Sequence, residues 1–368
     1  MILKKHLTFL ILIMGLAPTC LSGQQLKPGF AKDEYREMLL ISARTTDVPE
    51  YYMKYQAPEH FRKIYQSVIM GLDNNWDLWI SDRSVAVISI RGTTGSLESW
   101  LANFYCAMVP AKGELKLSPD KIFTYDLASN PKAAVHVGWL LCMACLSYDM
   151  LPKIDSLYKT GVKDFILTGH SQGGAITYLL TSYLYNLQKQ KLLPEDIRIK
   201  TYCSAAPKPG NLYYAYDYEL MTRGGWAFNV VNTADWVPES PFSVQTINDF
   251  NKVNPFINAR KGIRKMKFPT NVVVAHVFNN LDKPTKKAQK NFRKYLGDKV
   301  AKYVKKCLPD FTPPEYYSSS DYVRTGTTII LHAGQDYYTV FPGNDNGIFA
   351  HHLQKAYLYL LDQYDSHE

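Results

Sequence analysis

The ten residues 165–174, Phe-Ile-Leu-Thr-Gly-His-Ser-Gln-Gly-Gly, constrain the fold of this chain more than any other stretch. They begin with a short apolar run and are followed, at 175–187, by apolar residues at helical spacing. This order predicts a strand, a very tight turn and a helix. Gly169, Ser171 and Gly173 form a G-x-S-x-G pattern, in which the flanking positions must be small because strand and helix pass close together.

A serine at the tip of such a turn is held in a strained backbone conformation with its hydroxyl pointing outward. Three fixed positions are a weak pattern alone, since a glycine-rich turn in many α/β proteins would also contain them. The flanking strand and helix favour the more specific interpretation. We therefore predict a nucleophile elbow, with Ser171 as the nucleophile.

The first 23 residues predict a cleavable secretory signal. They contain two lysines, an apolar stretch at 7–17, and a tail of small or helix-breaking residues. This apolar stretch is too short to span a bilayer. We expect a signal peptide at 1–23 and a secreted or periplasmic protein. A lipid anchor at Cys20 is the alternative interpretation.

The remaining residues, 24–368, are expected to form one α/β domain with a basic insertion at about 250–320. Outside the leader there are five cysteines, an odd number that cannot be fully paired within one chain. Cys142 and Cys145 are two residues apart within the apolar run 137–157, which predicts a buried helix. This position suits neither a redox pair nor a zinc site.

Alternating strand and helix patterns predict an α/β protein with a mostly parallel central sheet and helices on both faces. A β-hairpin is expected at 76–90, because two apolar strands flank a polar turn there. Further expected elements are helices at 32–44 and 58–70, strands at 197–204 and 226–232, a second hairpin formed by 327–331 and 337–341, and a closing helix whose apolar face begins at Leu353.

Charge is concentrated in the basic region, which we define as residues 251–308. It has 16 Lys and Arg against two acids and so carries +14, whereas the whole chain carries +9 and the rest therefore −5. Its second half, 284–308, predicts an amphipathic helix with a lysine face. Such a helix can lie on an anionic membrane surface, or it can pack on the core with its lysines in solvent. Nucleic acid is not an expected partner, since no recognised binding module is present.

Candidate partners of Ser171 follow from chain order. If Ser171 is the nucleophile of an α/β-hydrolase, the catalytic residues follow in the order serine, acid, histidine. Asp235 lies at the end of a predicted strand, and Asp336 is the second candidate for the acid. The pair His351 and His352 lies at a loop to helix junction after the last strand. We choose His352, because it borders the apolar face of the closing helix. The earlier His136 is expected to make a structural hydrogen bond.

The strand at 85–90 leads into a Gly-Thr turn, residues 91–95, which exposes backbone N–H groups where an α/β fold gathers its chemistry. An acyl-transfer enzyme needs such donors for its oxyanion. The apolar stretch at 100–110 suits either a lid or a packed helix.

Together these motifs resemble the class 3 lipases, the fungal-lipase-like branch of the α/β-hydrolases. The resemblance covers about 80–240 and the last helix, while the N-terminal region and the basic insertion depart from it. It implies a triad of Ser171, Asp235 and His352, an oxyanion hole formed by the N–H groups of Thr93 and Gln172, and a lid around Trp100. The residues that carry it are Arg91-Gly92-Thr93, Ser96-x-x-x-Trp100, His136-x-Gly138, residues 169–174, Asn232-x-x-Asp235-x-Val237-Pro238, and His352 with Tyr357.

The expected chemistry is hydrolysis of acyl esters without a metal or cofactor, because a serine activated by histidine supplies the nucleophile. The leading hypothesis is an exported triacylglycerol lipase or carboxylesterase. A phospholipase A1 that acts on anionic lipids would have the same triad. A surface-binding protein that kept the fold and lost turnover is the alternative from a different class.

Overall fold

The computed structural model of the protein describes residues 25–342 and 347–364. The predicted signal peptide, 1–23, and the alternative anchor residue Cys20 lie outside these residues. Within them the strands are β1 (Phe61–Gln66), β2 (Trp76–Ser81), β3 (Val85–Ile90), β4 (Met108–Pro110), β5 (Lys112–Ser118), β6 (Lys121–Asp126), β7 (Ala134–His136), β8 (Asp164–His170), β9 (Arg198–Ser204), β10 (Gly210–Asn211), β11 (Ala227–Asn232), β12 (Tyr322–Val323) and β13 (Thr327–Leu331).

Helices surround these strands, and several lie where the apolar spacing predicts them. The α-helices are α1 (Lys32–Thr45), α2 (Pro49–Tyr52), α3 (Leu97–Phe104), α4 (Val137–Lys159), α5 (Gln172–Lys189), α6 (Leu212–Met221), α7 (Ala259–Arg264), α8 (Thr270–Arg293), α9 (Val300–Cys307), α10 (Gln335–Val340) and α11 (Gln354–Gln363). Short 3-10 helices occur at Val237–Glu239 and Ile247–Asp249, and a π-helical segment at Lys294–Lys299.

The central sheet has seven strands in the described part of the chain, in the order β1-β2-β3-β8-β9-β11-β13. Strands β2 and β3 form the predicted hairpin at 76–90, and β1 pairs antiparallel at its edge. Every other neighbouring pair, from β3 to β13, is parallel. The predicted α/β-hydrolase fold with a mostly parallel sheet is therefore confirmed.

Different helices cover the two faces of this sheet. In β3, Ala86 and Ile88 belong to one buried cluster and Val87 to another, because successive side chains of a strand point to opposite faces. The first cluster contains side chains of α4 and α5, and the second contains side chains of α1 and α11. The central strands are thus buried on both faces, and groups for chemistry are left at the strand ends.

Helix α4 carries Cys142 and Cys145, as predicted. It is the helix in the described residues that is long and apolar enough to cross a membrane, but 67% of its most apolar window is buried inside the protein. Burial raises the pKa of Cys142, and it raises the pKa of Cys145 to about 11. Both remain thiols at neutral pH, which agrees with a structural role for this helix.

The predicted helix at 58–70 is wrong, since this segment contains the edge strand β1. The residues that suggested a helical face, Ile64, Val68 and Ile69, are exposed instead of packed together. Pairing of β1 with β2 decides the conformation here, and pairing between distant segments overrides local apolar spacing.

The predicted second hairpin is also wrong. Strand β13 pairs parallel with β11, and the segment 337–341 lies in and just after helix α10. Tyr337 and Phe341 are four residues apart and both buried, and their rings stack with centroids at 4.9 Å. Residues four apart are neighbours on a helix, whereas on a strand they would share a face but lie roughly 13 Å apart.

The basic region is mostly helical, but the single helix predicted at 284–308 is interrupted by the π-helical segment. There the carbonyl of Leu296 accepts hydrogen bonds from the backbone N–H groups of Cys106 at 2.9 Å and Ala107 at 3.1 Å. A Cβ on Gly297 would lie 2.9 Å from the Ala107 Cβ, so only glycine allows this approach. The helix is broken where its backbone docks onto the protein.

Candidate active site

Ser171 lies at the tip of the turn between β8 and α5, with φ of 61° and ψ of −131°, a strained conformation for a non-glycine residue. Its backbone N–H donates to the carbonyl of Ser204 at 2.9 Å. A Cβ on Gly169 would lie 2.3 Å from the carbonyl carbon of Gly173, and one on Gly173 would lie 2.2 Å from the carbonyl oxygen of Ile90. The predicted tight turn is therefore confirmed, and both glycines are required by close backbone contacts.

Asp235 and His352 are 117 positions apart in the chain and hydrogen bonded in the structure. Asp235 follows β11 and His352 precedes α11. The distance from His352 Nδ1 to Asp235 Oδ2 is 2.7 Å, and both side chains are buried. The same oxygen accepts the Tyr357 hydroxyl at 2.8 Å, while Oδ1 accepts the backbone N–H of Val237 at 3.0 Å. Three donors thus fix the orientation of one carboxylate.

These contacts assign the proton of the His352 ring. An ionised carboxylate only accepts, so Nδ1 donates to Asp235, and in the neutral ring Nε2 then carries the lone pair. His352 Nε2 is buried and has no hydrogen-bond partner among the described residues. Because Ser171 and His352 line the same cavity, this nitrogen can act as a base toward a group held there.

The alternatives named from the sequence lie elsewhere. His351 Nδ1 is 2.8 Å from the Tyr337 hydroxyl, and the His351 carbonyl accepts from the Asn232 amide at 2.9 Å. Asp336 is exposed in the first turn of α10. Neither side chain reaches the bond between Asp235 and His352.

The two predicted oxyanion residues line the cavity, and one side chain connects them. Thr93 follows β3, and Gln172 is the first residue of α5, where backbone N–H groups have no partner within the helix. The amide nitrogen of Asn103 donates to Thr93 Oγ1 at 3.0 Å, and its amide oxygen accepts from Gln172 Nε2 at 2.9 Å. Asn103 therefore holds together the two segments whose N–H groups are the candidate donors.

Asp73 fixes the same loop from the other side. Its carboxylate accepts the hydroxyls of Thr94 and Ser96 and the guanidinium of Arg91. Burial acts to raise the pKa of Asp73, but the hydrogen bonds from Ser96 and Thr94 and the charge of Arg91 together lower it below its usual range. A carboxylate that remains ionised thus clamps the turn that carries Thr93.

His170 joins the elbow to the loop of His352. His170 Nε2 lies 2.7 Å from the His352 carbonyl oxygen, which can only accept, so Nε2 carries the proton. His170 Nδ1 then accepts from the Ser204 hydroxyl at 3.0 Å, and Ser204 accepts from the Tyr35 hydroxyl at 2.7 Å. Burial lowers the pKa of His170 well below its usual range, and the nearby His352 lowers it further. The ring therefore stays neutral, as this chain of donors requires.

His136 makes structural hydrogen bonds, as predicted. It caps α4 by accepting the backbone N–H of Trp139 at Nδ1, and its Nε2 lies 3.2 Å from the carbonyl oxygen of Asn103. Burial lowers the pKa of His136 to about 3, which keeps the ring neutral.

The cavity beside Ser171 has a volume of about 1020 Å³. Its wall near the site is aromatic: Trp100 and Phe104 stack with centroids at 5.7 Å, and Phe349 lies 5.9 Å from the ring of His352. Trp100 and Phe104 belong to α3, which packs on the core through Leu101 and Ala102. Helices α1, α2 and α8 also contribute to the wall. Both regions that depart from the resemblance therefore reach the cavity.

Sequence reasoning named Ser171, Asp235 and His352, which the structure brings to one site, but it did not name the side chains that hold them. Asn103 and Asp73 have no local motif, since their contacts come from segments that meet only in the fold. Tyr357 is among the residues that carry the resemblance, but the sequence alone did not indicate that it binds Asp235.

A serine elbow, an Asp–His pair and an apolar cavity at the ends of parallel strands define the class of the α/β-hydrolases. Residues 87–245 match the family model described as Lipase (class 3). The match confirms the resemblance found in the sequence, and the protein is a lipase-type enzyme, a carboxylic ester hydrolase. The matched segment includes Ser171 and Asp235 but ends before the basic region and before His352.

No match was found among curated proteins. Among solved structures, the chain is similar to a Rhizomucor miehei lipase in complex with its propeptide, at 20% identity and a TM-score of 0.42, with 59% of this chain and 66% of that chain covered. It is also similar to the Rhizopus microsporus var. chinensis lipase, at 23% identity and a TM-score of 0.40, with 58% of this chain and 71% of that chain covered. A third similar structure is the Lip2 lipase of Yarrowia lipolytica, at 17% identity and a TM-score of 0.43, with 60% of this chain and 78% of that chain covered.

Proposed function

We propose that the protein hydrolyses acyl esters of lipids through a triad of Ser171, Asp235 and His352. The observation that carries this proposal is the state of the His352 ring, which is held at Nδ1 by a buried carboxylate. Its Nε2 lies beside the serine cavity and has no hydrogen-bond partner in the part of the chain that the structure describes. A serine hydroxyl is a poor nucleophile until such a base accepts its proton. No metal or cofactor takes part in the proposed reaction.

The reaction proceeds through an acyl-enzyme. Ser171 Oγ attacks the ester carbonyl as its proton passes to His352 Nε2, and Asp235 stabilises the resulting imidazolium. The backbone N–H groups of Thr93 and Gln172 bind the oxyanion of the tetrahedral intermediate. Collapse expels the alcohol, which takes the proton from His352. A water molecule, activated by the same nitrogen, then attacks the acyl-enzyme and releases the fatty acid.

Substitution of the triad tests the proposal. Ser171→Ala should lower kcat/KM for p-nitrophenyl butyrate by on the order of 10⁴-fold or more, and Asp235→Asn by a similar factor, while both proteins stay folded by circular dichroism. Reactivity of Ser171 with a fluorophosphonate probe separates an enzyme from a non-catalytic surface-binding protein. Substantial turnover by a folded Ser171→Ala variant would refute the assignment.

We further propose that the enzyme is exported through a signal peptide at 1–23 and acts as a triacylglycerol lipase or carboxylesterase. The lysines and short apolar stretch at 4–17 support export, with a lipid anchor at Cys20 as the alternative. The apolar cavity supports a substrate with an acyl chain. A panel of p-nitrophenyl esters, triacylglycerols and phospholipids, assayed with the secreted protein, tests these points together.

A second candidate function is phospholipase A1 activity at an anionic membrane surface, and the basic region is the reason to consider it. The apolar face of α9 is packed on the core through Ala301 and Val304, while its lysines are exposed. Exposed apolar side chains are found instead on the first half of α8, at Val273, Val277 and Leu281. Lys267 precedes this stretch and Lys283 follows it, so this half of α8 can combine apolar insertion with attraction of the flanking lysines to anionic lipid.

Vesicle binding tests this candidate. A basic residue near an anionic surface contributes roughly 1 kcal/mol, an attraction that decays over a Debye length of about 8 Å at physiological salt. We expect tighter binding to vesicles with phosphatidylserine than to neutral vesicles, with most of the difference lost when salt rises from about 0.05 to 0.5 M. Replacing the exposed Lys299, Lys302, Lys305 and Lys306 by glutamine should weaken binding and leave hydrolysis of p-nitrophenyl butyrate nearly unchanged. Equal binding to both vesicle types at low salt would refute it.

A further inference from the structure

The basic region reaches the active-site cavity from outside the segment that matches the lipase family. Ala288 and Asn291 of α8 and Tyr295 of the π-helical segment line the same cavity as Ser171 and His352. We propose that this stretch of the basic region is the wall that selects the length of the acyl chain. The inference rests on the proposed function, because it presupposes that an acyl ester is cleaved at Ser171.

The spacing of these residues makes them one surface. Positions 288, 291 and 295 are three and four apart, so their side chains project from the same side of the helix. Phe292, on the adjoining strip, is buried and lines the cavity together with the exposed Phe242, and the two ring centroids are 5.4 Å apart. The basic region thus presents an ordered, largely apolar strip to the cavity.

This strip is also firmly attached. The Leu296 carbonyl accepts from the N–H groups of Cys106 and Ala107, which directly follow α3, the helix that carries Trp100 and Phe104. The aromatic wall near His352 and the strip from the basic region are therefore fixed to each other through backbone hydrogen bonds. A wall held in this way keeps its contacts along a bound acyl chain, whereas a loose helix would move aside.

The charge pattern indicates which ligand the strip meets. The basic region carries +14, yet no Asp, Glu, Lys or Arg side chain lines the cavity among the described residues. Lys287 and Lys290, the neighbours of Ala288, are exposed and lie outside the cavity wall. A charged head group therefore finds no oppositely charged side chain in this lining, whereas an acyl chain finds apolar surface to pack against. Each methylene buried against such a wall raises kcat/KM by roughly fourfold.

The experiment measures kcat/KM over a series of p-nitrophenyl esters from butyrate to palmitate at one fixed detergent concentration. Ala288→Trp fills the cavity beside the strip, and should lower the palmitate to butyrate ratio at least tenfold while butyrate hydrolysis stays within about threefold of wild type. Lys290→Trp places the same bulk two residues away, on the solvent side of α8, and should leave the ratio unchanged. Tyr295→Ala shortens the wall without adding bulk and should also lower the ratio.

An unchanged ratio in Ala288→Trp, or an equal loss for all esters, would overturn the inference, and so would an equal fall of the ratio in Lys290→Trp. The short ester reports folding and chemistry in every variant. Failure of the triad would appear separately, as hydrolysis that survives in Ser171→Ala whatever the chain-length profile shows.

Discussion

The family-like segment, 87–245, and the basic region, 251–308, are built in different ways. In the first, strands are buried on both faces and Asp235 is held by three donors. In the second, most side chains of α8 are exposed, including apolar Val277 and Leu281. Yet both line one cavity. Reacting groups need fixed positions and therefore burial, whereas the surface that meets the substrate can be an exposed element attached at a few points.

The largest expected effect concerns the histidine that pairs with Asp235 of the first region, and it separates two adjacent histidines. His352→Ala removes the proposed base and should lower kcat/KM for p-nitrophenyl butyrate by about 10⁴-fold or more. His351→Ala removes a hydrogen bond to Tyr337 and should cost less than about tenfold, together with about 1 kcal/mol of stability. Steady-state kinetics on both purified variants makes the measurement. The reverse outcome would show that the base is His351.

Stability should differ between the regions for one and the same substitution. Val87→Ala, in the buried strand β3, should lower the free energy of unfolding by about 2–3 kcal/mol, because it leaves a cavity between sheet and helices. Val277→Ala, on the exposed side of α8, should change it by less than about 0.5 kcal/mol. Urea denaturation at equal m-values provides the comparison. A cost above about 1.5 kcal/mol at Val277 would mean that this face of α8 is covered.

A buried carboxylate makes stability depend on pH in the core. Burial raises the pKa of Asp77 to about 6, against about 4 in an unfolded chain. The native state holds this proton more strongly, so the contribution to stability is complete below about pH 4 and is lost as pH rises to about 6. Asp77→Asn should therefore gain up to about 3 kcal/mol relative to wild type between pH 4 and pH 8.

Thermal or urea unfolding at pH 4, 6 and 8 measures this difference. The same substitution at exposed Asp298, in the basic region, is the matched control and should change the free energy of unfolding by less than about 0.5 kcal/mol at any of these pH values. A difference between Asp77→Asn and wild type that does not vary with pH would contradict the expectation.

The smallest expected effect concerns a residue that positions the oxyanion loop. Asn103→Ala leaves Thr93 and Gln172 in place but removes the amide that joins them, and should lower kcat about 10- to 100-fold with little change in KM. Kinetics with p-nitrophenyl butyrate measures the two constants. Lys290→Ala, on the solvent side of α8, is the control and should leave both unchanged. A rise in KM at constant kcat would show that Asn103 acts in substrate binding instead.

Much of the central sheet could be predicted because its signals are local. The strand before Ser171, the two glycines beside it and the helix after it are adjacent in the chain, and so are the strands of the hairpin at 76–90. The helical phase of the closing helix favoured His352 over His351, and in the structure His352 is hydrogen bonded to Asp235. These features follow from periodicity and from the space that a side chain needs.

Other parts depend on contacts between distant segments. The apolar spacing at 58–70 imitates a helix, but pairing with β2 makes it a strand. Residues four apart, such as Tyr337 and Phe341, share one face of a strand as well as one face of a helix, and only packing against the core decides between the two conformations. The break in the helix at 284–308 follows from the approach of Gly297 to Ala107, which no local pattern contains.

The hydrogen bonds from Tyr35 through Ser204 and His170 to His352 also have a consequence in time. A ribosome makes the first three of these residues long before His352, so the donor on His170 is formed well before the carbonyl of His352 emerges to meet it. Until then Ser171 lacks its proposed base. We expect a nascent chain that stops before residue 352 to fold much of its sheet but not to hydrolyse esters. Hydrolysis should start only once the closing helix has docked.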